Sequence, residues 1–128
     1  MGIMQSDHKR TEIPPLLLAS DEPRLATQLH LALRKQGLLV ELAPGYPEIE
    51  SLADANSEAI VLLEVSRHQS VEAAVELALR IKRTNANRFV GYLADRVLHN
   101  SGLTGDAIFL RTVQHLLPAL HNHFRRVE

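Results

Sequence analysis

Short, wholly apolar runs alternate along this chain with stretches whose apolar residues recur at helical spacing, and few architectures accept that pattern. Leu16, Leu17, Leu18 and Ala19 follow one another without a polar break, and Ala59 to Val65 (AIVLLEV) repeats the feature with a single charge, Glu64. A strand with one face in water alternates polar and apolar residues; a run without alternation is covered on both faces, as in a parallel sheet. After the first run, Ser20 and Asp21 are helix-capping types, Pro23 suits a first helical turn, and Leu25, Leu29, Ala32 and Leu33 recur helically until Gly37 supplies a stop. Leu38 to Ala43 then reads as a second strand, and Pro44, Gly45 and Pro47 lead into a short helix holding Ile49, Leu52 and Ala53. Beyond the AIVLLEV strand, Val71, Ala74, Val75, Ala78 and Ile81 mark one helix face. Phe89 to Ala94 reads as a fourth strand and Ala107 to Leu110 as a short fifth, followed by Val113, Leu116, Leu117, Leu120 and Phe124 at helical spacing. Pro118 interrupts that last stripe and predicts a helix that starts late or kinks.

Five strands alternating with helices predict a doubly wound parallel sheet, because each crossover is right-handed and covers a sheet face. The working surface of such a sheet is the carboxyl edge of its strands. Here that edge carries Ser20, Asp21 and Glu22, then Glu64, Leu93 to Asp95, and Arg111. The chain's 128 residues make about one domain, 45% apolar and 23% charged, so a packed core is expected. We assign residues 13–128 to that domain and 1–12, ahead of Pro14 and Pro15, to a flexible N-terminal arm. The absence of cysteine removes disulfides, thiolate metal sites and cysteine nucleophiles. Fourteen basic residues against fifteen acidic ones leave a net charge of −1, so neither nucleic acid nor an anionic membrane is attracted in bulk. The apolar runs are too short to span a bilayer, and the polar start is no signal peptide, which points to the cytoplasm.

The strand endings carry a resemblance. LLLASDEP resembles the end of the first strand in receiver domains of bacterial response regulators, where two acidic residues precede Glu-Pro; Ser20 stands at the first acidic position and Asp21 at the second. AIVLLEV is similar to the family's third strand, with Glu64 in the place of the phospho-accepting aspartate, 43 positions after Asp21 as the family's element lengths lead one to expect. Leu93 precedes Ala94 where the family has a small hydroxyl switch residue, and Arg111 with Thr112 stands at its Lys-Pro pair. The resemblance implies a flavodoxin-like, three-layer receiver fold with strand order 2-1-3-4-5. Asp95 to Asp106 is short and holds Asn100, Ser101, Gly102 and Gly105, so the family's fourth helix is expected to be shortened or irregular.

These departures bear on chemistry. Phosphoryl transfer to a carboxylate depends on in-line positioning and on a Mg²⁺ that neutralises the phosphate oxygens. Glu64 is longer than aspartate by one methylene, Ser20 lacks one cation-holding charge, and Leu93 cannot hydrogen-bond a phosphoryl oxygen. Asp21 and Glu64, with a backbone carbonyl near Ser66, would make a weak Mg²⁺ site at best, and no other cofactor is expected. Glu64 and Arg111 admit two readings: a charge pair that mimics a phosphorylated aspartate, or a partly exposed ion pair worth about 0–1 kcal/mol. His121 and His123, two apart on a helix, point to different faces and do not read as a metal pair. No serine sits in a nucleophile elbow and no Gly-rich run cradles a phosphate. The expectation is a degenerate receiver, not an enzyme, that binds a protein: a signalling protein, a histidine kinase, an adjacent output domain or a second copy of itself. An atypical receiver still active in a phosphorelay, and a flavodoxin-like small-ligand domain or enzyme, are the alternatives.

Overall fold

The computed structural model describes residues 13–95, 98, 103 and 106–124. Its elements are β1 (Leu16–Ser20), α1 (Pro23–Lys35), β2 (Val40–Leu42), α2 (Tyr46–Ala55), β3 (Ile60–Glu64), α3 (Val71–Thr84), β4 (Val90–Ala94), β5 (Ala107–Leu110) and α4 (Val113–Phe124). A single 3-10 turn, His68–Ser70, leads into α3. All four strand pairings are parallel, in the order β2-β1-β3-β4-β5. This is the doubly wound sheet that the alternation demands.

The strand period of two divides the core. Leu17, Ala19, Val61, Leu63, Val90 and Tyr92 project to the face covered by α2 and α3, where they meet Ile49, Leu77 and Ile81. Leu16, Leu18, Ile60, Leu62, Leu93 and Phe109 project to the opposite face, where Leu29 and Leu33 of α1 and Leu116 and Leu120 of α4 cover them. Every residue of β1, β3 and β4 is buried. A fully buried leucine stabilises the fold by roughly 1.5–3 kcal/mol over an exposed one, so these three strands dominate the energetics. Gly91 sits where a Cβ would lie 3.0 Å from the Phe89 ring and 3.3 Å from that of Phe109, so the aromatic packing leaves no room for a side chain there.

Several local expectations are corrected by tertiary structure. The N-cap of α1 is Glu22, with no side-chain cap, rather than Ser20 or Asp21, whose side chains serve other partners. Gly37 ends α1 as expected: at φ +89° it donates to Arg34, while Leu38 donates to Leu33, the paired bonds of a Schellman motif. β2 is shorter than the 38–43 stretch. α4 starts at Val113 and carries Pro118 in its interior, against the expected late start. Proline deprives the Gln114 carbonyl of its helical donor, and the complete burial of Leu116 and Leu120 on either side offsets that loss. The expected N-terminal arm, residues 1–12, lies outside the described residues. Of the connection between β4 and β5 only Asp95, Leu98, Leu103 and Asp106 are described, so its expected irregular helix lies largely outside them too. Among the described residues no helix is long and apolar enough to cross a membrane.

Candidate functional site

Parallel register assembles the site. At the carboxyl ends of the central strands, Ser20 of β1 is aligned with Glu64 of β3, and Glu64 with Leu93 of β4. Arg111 follows β5 and places its guanidinium Nη1 3.9 Å from Glu64 Oε2. Four of the five residues singled out from the sequence thus converge. Asp21 takes a different course.

The Asp21 carboxylate is only 4% exposed and is held by the loop after β3. The Ser66 backbone N–H donates to both of its oxygens at 3.0 Å, and the Ser66 hydroxyl donates to Oδ1 at 2.7 Å. The Arg67 N–H adds a bond to Oδ2 at 3.1 Å, and the Arg67 side chain donates to the Asp21 carbonyl at 2.7 Å. Ser66 therefore presents an N–H and a hydroxyl to Asp21, where the sequence suggested a carbonyl facing a cation. Both oxygens are engaged by donors from one short loop.

Glu64 lies on the face covered by α1 and α4, with its side chain 2% exposed. Its backbone carbonyl accepts from the Tyr46 hydroxyl at 2.8 Å, which ties the first turn of α2 to the end of β3. Its Oε1 is buried without a hydrogen-bond partner among the described residues, as is Arg111 Nη1. Burial pushes the Glu64 carboxyl above its ordinary range; the Ser20 hydroxyl and Arg111 pull it back in part, while the charges of Asp21 and Glu22 push the same way as burial. The Ser20 hydroxyl lies within hydrogen-bond distance of the Glu22 backbone, 3.1 Å from its carbonyl and 2.9 Å from the N–H it accepts, so Glu64 shares it with Glu22. Arg111, at 25% side-chain exposure, offers a charge at 3.9 Å but no hydrogen bond. The pair is thus more buried than the partly exposed ion pair considered from the sequence.

Leu93 is wholly buried in the core beneath α1 and α4 and presents only hydrocarbon to Glu64. Tyr46 and Arg67 escaped the sequence reading, because neither sits at a strand end and only the folded loops bring them to the edge. The Tyr46 hydroxyl is pushed well up by burial first, and then by the negative charges of Asp21 and Glu64. His123 stacks edge-on against Phe89 and Phe124, with ring centroids 4.9 Å away in each case, an aromatic contact rather than a ligand position. Among the described residues no three His, Cys, Asp or Glu side chains are grouped to hold a metal ion.

No protein-family model and no curated protein matches the sequence. Solved structures do match in fold. The crystal structure of FixJ-N superposes with a TM-score of 0.64 at 15% identity, covering 90% of this chain and 96% of that one. The solution structure of a response regulator protein from Burkholderia multivorans gives 0.58 at 19% identity, covering 91% and 98%. The shared order of elements runs through the strands that carry Ser20, Glu64, Leu93 and Arg111, and at such identities it is the fold that is shared. The chain has the flavodoxin-like receiver fold, a five-stranded parallel sheet in the order 2-1-3-4-5 with helices on both faces.

Proposed function

We propose that this chain is a degenerate receiver, a protein-interaction module of signal transduction that runs no aspartate phosphorylation cycle and is not an enzyme. The observation that carries the reading is the separate commitment of the two carboxylates at the carboxyl edge. Asp21 is bound by Ser66 and Arg67, and Glu64 is buried beneath α1 and α4. Mg²⁺ demands six oxygens in near-ideal octahedral geometry at about 2.0–2.1 Å and binds through carboxylates with free lone pairs. Here the carboxylate that would serve it already accepts four hydrogen bonds, so the donor set does not suit the ion. An in-line attack on phosphorus needs an accessible carboxylate oxygen, and Glu64 is 2% exposed. Leu93, next to Glu64 in the sheet, adds no donor for a phosphoryl oxygen.

On this reading the α/β fold serves as a platform for a cytoplasmic signalling protein, an adjacent output domain or a second copy of the chain. The test is an amide NMR spectrum of the labelled protein with and without Mg²⁺ and beryllofluoride, a phosphoryl mimic. The expected result is no specific shift at Asp21, Glu64, Leu93 or Arg111. Saturable shifts at those residues would instead establish a working, atypical receiver.

A further inference from the structure

The amino edge of the sheet, at the end of the fold remote from Glu64, exposes an apolar patch. Leu39, on the way into β2, is 71% exposed, the highest fraction among the large hydrophobic side chains of the described residues. Leu31 and Leu79, the other two, lie on the outer faces of α1 and α3, where single apolar side chains are ordinary. Leu39 instead has company. It forms with exposed Pro15 a ridge shared by two surface hollows. The larger, about 350 Å³, is lined among the described residues by Ile13, Pro14, Leu38 and Glu58, and the smaller, about 190 Å³, by Arg34 and Glu41. The strand order β2-β1-β3 sets Leu39, before β2, and Glu58, before β3, on opposite sides of Pro15. A line across this surface therefore meets Arg34, Leu39, the larger hollow and then Glu58. Arg34 and Glu58 are both exposed, and among the described residues neither is held in an ion pair.

That order is self-complementary. Turned about a two-fold axis, the line reads Glu58, hollow, Leu39, Arg34, so a knob faces a hollow and a cation faces a carboxylate at both ends. A strongly acidic or strongly basic partner would meet a like charge on one side of the ridge, whereas a second copy meets none at Arg34 and Glu58. The larger hollow holds about ten times the ~30 Å³ of a water molecule, room for the four carbons of a leucine side chain. We propose that a second copy of the chain docks here as an isologous dimer. Leu39 of each copy sits in the larger hollow of the other, and Arg34 faces the partner's Glu58. The carboxyl edge stays uncovered in this arrangement. The dimer names one partner for the interaction-module reading and rests on that reading, yet the two fail separately, because association and beryllofluoride shifts are read at opposite ends of the sheet.

The test is sedimentation velocity of the full chain from about 10 µM to 1 mM, followed by interference optics because the chain has no tryptophan. The expected result is a rise from the mass of one chain to that of two, with a dissociation constant on the order of 0.1 mM for so small a patch. Leu39→Asp abolishes the rise. Arg34→Glu and Glu58→Arg each weaken association at least about tenfold, since a two-fold axis repeats every clash, and the two together restore it. Circular dichroism of each variant confirms that it is folded. A single-chain mass at 1 mM, a dimer that survives Leu39→Asp, or a doubly swapped chain that fails to regain association would overturn the proposal. A monomer in which Leu39→Asp shifts the amides of residues 1–12 would also overturn it, and would assign the hollow to the chain's own N-terminal segment.

Discussion

Glu64→Gln tests the electrostatics of the site most directly, because it keeps the shape of the side chain and removes its titration and charge, with one oxygen replaced by an NH2 donor. Burial raises the Glu64 carboxyl above its ordinary value of 4.5, and the Ser20 hydroxyl first, then Arg111 at 3.9 Å, offset this in part. The folded protein therefore holds a proton that the unfolded chain has released, and stability falls as pH rises through that interval. The sign follows from the proton count: the unfolded state binds fewer protons, so the slope is negative, at most about 1.4 kcal/mol per pH unit for one group. Below about pH 4 both states are protonated and the term vanishes. Above the folded value both are ionised and the full penalty is present. Its size is set by one buried carboxylate oxygen without a partner, about 1–3 kcal/mol.

The measurement is urea unfolding followed by far-ultraviolet circular dichroism from pH 4 to 9, since the chain has no tryptophan. Contributions from other titrating groups are common to both proteins and cancel in the difference. Wild type minus variant should decline as pH rises from 4 and level off once both states are ionised. A flat difference throughout would mean that Glu64 feels no net burial cost. A difference that rises with pH would mean that the pairing with Arg111 prevails, and either result refutes the reasoning.

Two further substitutions probe the supports of the edge. Arg88, 7% exposed, donates to the carbonyls of Ala53, Asn56 and Ala59 and so caps the end of α2. Ala53 and Asn56 each accept a second backbone bond, so Arg88→Met should cost about 2–4 kcal/mol rather than the sum of three charged bonds, and lower the melting temperature by roughly 10 °C; a change below about 1 kcal/mol would show that the cap is dispensable. Asp21→Asn places an amide among donors, and should cost about 2 kcal/mol and accelerate hydrogen exchange at Ser66 and Arg67. Unchanged protection at those two amides would count against the loop anchor.

The parts of this molecule that are legible in its sequence are those whose cause is repeated along the chain. β1, β3 and β4 are covered on both faces, and LLLA and IVLLE say so without any knowledge of their neighbours. Once the strand order is known, parallel register places Ser20, Glu64 and Leu93 in one row, so the membership of the site is legible too. The state of that row is not, because it depends on elements distant in sequence. Ser20 and Asp21 look like helix caps by local preference, yet the loop 45 residues onward offers Asp21 more donors than the start of α1 could, and the tertiary bonds prevail. Pro118 breaks helices by local rule, yet Leu116 and Leu120 hold α4 against the sheet on both sides of it. Arg88 reads as an ordinary turn cation until the end of α2 arrives to be capped. Glu64 combines both cases: its position follows from the strand pattern, and its burial follows from α1 and α4 closing over it. Departures from local rules that are not repaired nearby concentrate where a protein works, and among the described residues two of the three buried polar atoms without a partner, Oε1 of Glu64 and Nη1 of Arg111, belong to residues that meet at the carboxyl edge, the third being Nε of Arg88.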